Sequence, residues 1–265
     1  MVLPSGFFYD GVMIPWLDAD TPFPDTAEAL GPDSEAPGLL AAGGGLTTTR
    51  LRQAYRRGIF PWFSPGQPLL WWSTSPRMVL PVAEFKLSRS LRKTLRKFAL
   101  TPGCEIRVDH AFDLVLSLCA GTPRAGQAGT WIVPEMQAAY RQWHREGQVH
   151  SFETWVNGEL VGGLYGVCLG RMFFGESMFS LQADASKIAL AALVGFCRRA
   201  GIEVIDCQQE TAHLASLGAR PWPREQFEHH LRQVVDLPAP TDWSYDALQW
   251  VSGEIPGAAP SRAVL

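Results

Sequence analysis

Two periodicities divide the chain. Apolar positions recur three and four residues apart along Thr47–Arg57, where Leu51 and Tyr55 share a face, and along Phe85–Phe98, where Leu87, Leu91, Leu95 and Phe98 form one stripe. The same spacing predicts helices over Asp109–Ala120, from Pro134 to Gly147 with Met136, Tyr140 and Trp143 on one face, and over Ala185–Ala200, then short ones at Thr211–Leu217 and Arg224–Leu231. Thr47 or Thr48 and Asp109 stand where caps belong, Pro134 suits a first turn, and Gly58, Gly147 and Gly201 stand at helix ends. From His150 the pattern turns to strands. Ser151–Val156 and Glu159–Leu169 flank Asn157-Gly158, a strong hairpin turn; Met172–Glu176 and Glu203–Cys207 follow, the last beyond the Ala185 helix. A meander, a crossover helix and a further strand predict an α+β sheet with helices against it.

The remaining stretches read as irregular. Residues 1 to about 36 are rich in Pro, Asp and Gly, and the chain after Leu237 reads as a loosely held tail. Gly38–Gly45 reads as an apolar-to-glycine turn; the lack of an expected strand before its three glycines and of GK[ST] after them tells against a phosphate loop. Gly58–Gly66, running into Leu70–Ser73, packs Phe60, Trp62, Phe63, Trp71 and Trp72 between prolines that forbid a helix. Such a stretch pins a linker onto a core, or offers a platform to a planar ligand such as a nucleobase.

Composition narrows the class. The 265 residues are 46% hydrophobic and 18% charged with a net charge of -3, which describes a globular chain. Five scattered cysteines without paired metal-ligand spacing suit a reducing compartment, no apolar run reaches membrane-spanning length, and the expected location is the cytoplasm. Neither HExxH, GxSxG nor paired CxxC occurs, so no metal and no cofactor are expected. Charge is uneven, however. Lys86, Arg89, Arg92, Lys93, Arg96 and Lys97 surround the Phe85–Phe98 stripe with no acidic residue between Glu84 and Glu105. A solvated helix face normally mixes signs; this one points to a polyanionic partner.

Two carboxylates carry the candidate chemistry. Glu176 follows Phe173 and Phe174 at the expected end of a strand, apolar company in which a carboxylate needs a partner. Asp206-Cys207-Gln208 closes the next strand, and alternation puts Cys207 on the opposite face from Asp206 and Gln208, in the core. Backbone donors satisfying a purely structural Glu176 are the plainer alternative.

Several segments together resemble the leucyl/phenylalanyl-tRNA–protein transferases: GLLAAGG at Gly38, AYRRGIFPWFSPG at Ala54, LLWWSTSPR at Leu69, GTW at Gly129, LVGGLYGV at Leu160, FFGESMFS at Phe173, ASKIAL at Ala185, IDCQ at Ile205 and HLASLGA at His213. The family pattern carries Asp after the two glycines of the first motif, where this chain has Gly45; Thr47 is placed to supply the helix cap instead. The resemblance implies a small N-terminal domain packed on a GNAT (acetyltransferase-like) mixed sheet flanked by helices. Boundaries follow as an irregular arm at 1–37, the small domain at 38–82, the catalytic domain at 83–236 and a tail at 237–265. The implied activity moves Leu, Phe or Met from aminoacyl-tRNA to proteins beginning with Arg or Lys, in the bacterial N-end rule degradation pathway.

The aminoacyl ester is already activated, so the reaction needs orientation, a proton acceptor and stabilisation of the tetrahedral oxygen, without metal or covalent enzyme intermediate. By resemblance, Asp206 orients the Gln208 amide, whose carbonyl accepts from the attacking amine, and Glu176 helps recognise the cationic acceptor residue. Leu164, Phe173, Leu190, Leu193 and Ile205 are expected to wall the amino-acid pocket, Trp62 to stack on the terminal adenine, and Trp131 and Tyr140 to line the same cleft. Lys86, Arg89, Arg92, Lys93, Arg96 and Lys97 are expected on tRNA phosphates. An acyl-CoA-dependent N-acetyltransferase is the alternative within the fold, but FSLQADASK lacks the glycines of a pyrophosphate-binding turn. A non-catalytic tRNA-binding module needs the basic helix alone.

Overall fold

The strands gather into two sheets that share one apolar layer. The structure, a computed structural model, describes residues 6–9, 11–122 and 130–245. The loop expected at Ala125–Gly129, with the glycine of the GTW motif, and the tail beyond residue 245 lie outside the described residues. Among the described residues the first sheet holds β1 (Gly6–Tyr9), β2 (Val12–Leu17), β3 (Leu39–Gly43), β4 (Phe60–Pro61) and β5 (Leu70–Trp72), ordered β1-β2-β3-β5-β4. The second holds β6 (Arg77–Pro81), β7 (Cys104–Val108), β8 (Val149–Val156), β9 (Glu159–Leu169), β10 (Met172–Ser180), β11 (Val204–Gln208) and β12 (Arg220–Trp222), ordered β12-β6-β11-β10-β9-β8-β7. Helices α1 (Thr48–Tyr55), α2 (Arg89–Leu100), α3 (Phe112–Gly121), α4 (Pro134–Arg145), α5 (Ala185–Ala200), α6 (Ala212–Ser216) and α7 (Arg224–Val234) complete the fold. A mixed sheet flanked by helices is as the pattern predicts.

The expected meander is present. Asn157 and Gly158 both take positive φ at the β8–β9 turn, and β9 pairs antiparallel with β10. After α5, β11 returns parallel to β10, but only for two pairs, Phe173↔Ile205 and Phe174↔Asp206. Alternate residues of these strands divide two cores. Tyr165, Phe174 and Val204 join Tyr55, Trp71 and Trp143 in the layer shared with the first sheet, while Leu164, Phe173 and Ile205 pack with α5 and with Leu91, Leu95 and Phe98 of α2. Helix α5 is buried on nearly every side, which its run of small and apolar residues allows. Gly162 lets it settle onto β9, because a Cβ there would lie 2.4 Å from the Ala185 Cβ.

Several local expectations change. The arm expected to be irregular contributes β1 and β2, and Ile14 and Leu17 are buried in the core among residues that otherwise signal turns. Gly38–Gly45 is not a turn throughout: Leu39–Gly43 forms a fully buried strand, and the left-handed φ values of Gly43, Gly44 and Gly45 follow it. A strand thus does precede the glycines, though GK[ST] is still lacking. Strand β6, expected in the small domain, belongs to the larger sheet. Thr47 caps α1 by accepting from the Arg50 N–H, whereas Asp109 caps nothing: its carboxylate accepts from the Ser151 N–H and contacts His150 Nδ1, and α3 begins at Phe112 without a side-chain cap. The expected loose tail is held as far as Trp243, which stacks on His150 and Phe196 with ring centroids 3.3 and 4.5 Å away.

Replacing Gly162 with Ala is expected to lower stability by about 1–3 kcal/mol through overpacking against α5. Denaturant unfolding at equilibrium reads this directly, and an unchanged midpoint contradicts the close approach.

Candidate active site

The site lies where β10 and β11 stop pairing. A register shift between Gly175 and Ser177 makes Glu176 the extra residue of a bulge in β10, inside the strand and not at its end as expected, because β10 continues to Ser180. The bulge turns the Glu176 carboxylate into the layer shared by the two sheets. There Tyr55, the last residue of α1, donates to Oε1 at 2.7 Å and Tyr140 of α4 donates to Oε2 at 2.8 Å. The two phenol oxygens are themselves 2.8 Å apart. Gln208 Nε2 donates to Glu176 Oε1 at 3.3 Å.

This ring of four oxygens and three contacts has a proton count. With Glu176 ionised, two phenolic protons serve three contacts; a protonated carboxyl supplies the third and closes the cycle. Burial acts the same way. It raises Glu176 from its ordinary 4.5 to about 7, against the hydrogen bonds from Tyr55, Tyr140 and Gln208, which lower it, while the nearby Asp206 charge adds to the rise. Burial also raises both tyrosines well above the ordinary phenol value, so they remain donors.

Asp206 lies beneath the site. It is fully buried, with Oδ1 accepting from Arg77 Nε at 2.8 Å and Oδ2 from Arg77 Nη2 at 2.6 Å. Arg77 also donates to the Gly58 carbonyl at 3.1 Å and lies over the rings of Phe60 and Phe227. The expected bond between Asp206 and the Gln208 amide is replaced by one to the Gln208 backbone N–H, at 2.9 Å. That bond spans a second register shift, between Asp206 and Gln208, where Gln208 takes a φ of 60°. Cys207 packs against the α5-side core, and burial pushes its thiol far up, which leaves it protonated and unsuited to nucleophilic attack.

The expected pocket walls gather on the other face of the sheet. Leu164, Phe173, Leu190, Leu193 and Ile205 all lie buried in the α5-side core, joined by partly buried Met178, the register partner of Leu164. They therefore do not share a face with Glu176 and Asp206; the two groups adjoin only where the β10–β11 pairing ends. Trp62 and Trp131 pack half-buried against the shared layer, with Trp62 edge-on to Trp72 at 5.5 Å. Lys86, Arg89, Lys93, Arg96 and Lys97 are exposed and Arg92 is half-buried, over the buried stripe of α2. No ion pair joins these six to an acidic group among the described residues.

Sequence reading missed Tyr55 and Arg77. Tyr55 was assigned only to a helix face. Arg77 opens the otherwise apolar strand Arg77–Pro81, and a charge at the start of a buried strand is itself the signal that a counter-ion waits elsewhere.

Comparison with known proteins decides the family. The profile described as leucyl/phenylalanyl-tRNA protein transferase matches residues 79–232, and the profile of that protein's N-terminal domain matches residues 44–75. The chain belongs to the leucyl/phenylalanyl-tRNA protein transferase family. A leucyl/phenylalanyl-tRNA–protein transferase of Leptothrix cholodnii is 68% identical over 90% of this chain and 94% of its own. That of Methylibium petroleiphilum is 65% identical over 89% of each. The solved structure of FemX superposes with a TM-score of 0.41 and 11% identity over 66% of each chain, a likeness that bears no weight beside those relatives. As a member of the leucyl/phenylalanyl-tRNA protein transferase family the chain is a transferase that takes aminoacyl-tRNA as substrate.

Asp206→Ala strands a buried guanidinium and is expected to destabilise the fold by about 3–5 kcal/mol, whereas an Arg77→Met/Asp206→Leu double variant regains most of that loss. Chemical denaturation of the single and double variants checks the coupling, and additive losses contradict it. The raised Glu176 value sets a second expectation. Between the ordinary 4.5 and about 7 the unfolded chain releases this proton first, so stability falls as pH rises through that window and levels off above it. Glu176→Gln is expected to remove that slope; unfolding midpoints of both proteins from pH 4 to 9 measure the difference.

Proposed function

We propose that this transferase moves Leu, Phe and sometimes Met from aminoacyl-tRNA to the N-terminal Arg or Lys of proteins, in the cytoplasm where charged tRNA is made. The product is a new peptide bond that marks the acceptor for N-end rule degradation. The observation that carries this reading is Gln208 held against Glu176 at the edge of an apolar core. An amide and a carboxylate stand beside a place for an unbranched apolar side chain. With Nε2 engaged by Glu176, Oε1 is the end of the Gln208 amide left to accept from the attacking α-amine. A neutral amide is a weak base, so its part is orientation as the amine proton departs. Asp206 is a positioning residue, acting through the Gln208 backbone and Arg77. Glu176, in its ionised form, supplies the negative charge toward which a cationic acceptor residue is drawn.

Leu164, Phe173, Leu190, Leu193 and Ile205 form the side-chain pocket, reached where β10 and β11 part. Trp62 stacks on the terminal adenine, with Trp131 and Tyr140 on the walls of the same cleft. The cations of α2 bind acceptor-stem phosphates and read no bases.

Labelled Leu-tRNA is expected to label an Arg-starting peptide, while labelled acetyl-CoA transfers nothing; acetyl transfer would overturn the assignment. Neutralising Arg92, Lys93 and Arg96 together is expected to weaken every aminoacyl-tRNA by a similar factor and to flatten the salt dependence by about 0.7–0.9 in slope per lost contact. An aminoacyl-adenosine donor, which lacks the stem, is expected to react equally with variant and wild type. Equal losses with both donors would show that α2 supports the fold and not the RNA.

A further inference from the structure

With Glu176 ionised, its ring is one proton short. Both phenolic protons are then committed to the carboxylate, and none is left for the 2.8 Å contact between the Tyr55 and Tyr140 oxygens. Two hydroxyl oxygens at that distance need a proton between them. One added proton supplies it by a shift around the ring. Glu176 Oε2 then donates to Tyr140, Tyr140 to Tyr55, and Tyr55 to Oε1, so every contact is filled. The arrangement is a built place for one extra proton, and the fold alone gives no reason to keep it.

The reaction gives a reason. An α-amine has an ordinary pKa of ~7.7–8.0, so near neutrality most of the acceptor arrives as ammonium and must lose a proton before its nitrogen can attack. The groups that face Glu176 come from several elements: Tyr55 of α1, Tyr140 of α4 and Asp206 of β11, with Tyr165 of β9 edge-on to Tyr140 at 5.4 Å and Arg77 of β6 bound to Asp206. Burial keeps Tyr55 and Tyr140 protonated. Asp206 is sealed from solvent, with both oxygens on Arg77. The thiol of Cys207 keeps its proton, and the Gln208 amide has no basicity to offer. Glu176 differs from all of these. It is half-buried beside half-buried Gln208, and burial raises it to about 7, close to the amine it faces.

We propose that Glu176 is the base that takes the proton of the acceptor's α-ammonium, with Tyr55 and Tyr140 as positioning residues that lodge that proton in a closed ring. The proposal rests on the reading that Glu176 and Gln208 meet the acceptor residue, and it adds where the proton goes. Among the described residues Oε2 accepts only from Tyr140, which leaves it a lone pair for the ammonium. After that transfer the neutral amine, oriented by Gln208 Oε1, forms the C–N bond to the ester carbonyl carbon. The C–O bond to the ribose breaks, and the second nitrogen proton leaves with the ribose oxygen as its hydroxyl. Glu176 then returns its proton to water. Two protons leave the ammonium, one to Glu176 and one to the leaving group, and the amide keeps the third.

Two acceptors separate this role from binding: an Arg-starting peptide, and the same peptide with an aminooxy group in place of its α-amine. The aminooxy nitrogen is unprotonated at neutral pH and needs no base before it attacks. With saturating Leu-tRNA, Glu176→Gln is expected to lower kcat about 10²–10⁴-fold for the amine and less than about tenfold for the aminooxy peptide. Equal losses in kcat with both would overturn the proposal. So would a raised KM with kcat unchanged, which leaves Glu176 a recognition group alone. Tyr55→Phe opens the ring and keeps the carboxylate, and it is also expected to lose more with the amine than with the aminooxy peptide. A packing defect lowers both rates alike, so this variant decides if Glu176→Gln fails to fold. A wild type inactive toward both acceptors would instead overturn the transfer reading itself, and this proposal with it.

Discussion

One buried ion pair ties the structure together. Arg77 and Asp206 meet at two bonds with side chains almost wholly out of water, and each satisfies further groups: the Gly58 carbonyl, the Phe60 and Phe227 rings, the Gln208 N–H. Those partners come from the turn after α1, from β4, from α7 and from β11. A charge pair at that depth is tolerable only with every lone pair and proton engaged, so these elements have little freedom to shift separately. The small sheet and the large one are thereby locked in register. The bond from Asp206 to the Gln208 N–H also holds the left-handed turn that sends the Gln208 side chain toward Glu176.

Much of this was legible in the sequence, for reasons that can be named. The β8–β9 hairpin follows from Asn157-Gly158, the α2 stripe from Leu91, Leu95 and Phe98, and the Thr47 cap from its position before an apolar period, since all are local signals. The residues Glu176, Gln208 and Tyr140 were named, and they do meet. What stayed hidden was relational. No local pattern shows that Tyr55 crosses from α1 to the Glu176 carboxylate, or that Asp206 serves Arg77 and not the Gln208 amide. The two bulges, at Gly175–Ser177 and Asp206–Gln208, each insert a residue and reverse alternation beyond it. A strict period-two reading would set Met178 beside Phe174 and Glu176, whereas the folded strand sends it to the α5-side core with Leu164, and the sheet divides the expected pocket walls from the carboxylates.

That division bears on where the proposed chemistry takes place. A continuous sheet would keep its two cores sealed from each other, the aromatic layer on one side and the α5 core on the other. Parallel pairing between β10 and β11 ends after Phe174 and Asp206, so the seal ends there too. In the reaction proposed above, the apolar donor side chain enters the α5 core beyond that point while its polar end remains beside Glu176 and Gln208 on the aromatic side. The donor has that same division, with an apolar side chain and a polar, reacting carbonyl on one carbon. The bulge at Glu176 adds one more constraint, because it sets the carboxylate where two phenols reach it, and their hydrogen bonds oppose the cost of its burial. A carboxyl poised near neutrality is the balance of those two effects, available as a proton donor to its own ring or as a charge toward an amine. The fold thus sets both where this carboxylate lies and when it is charged, through one inserted residue in one strand.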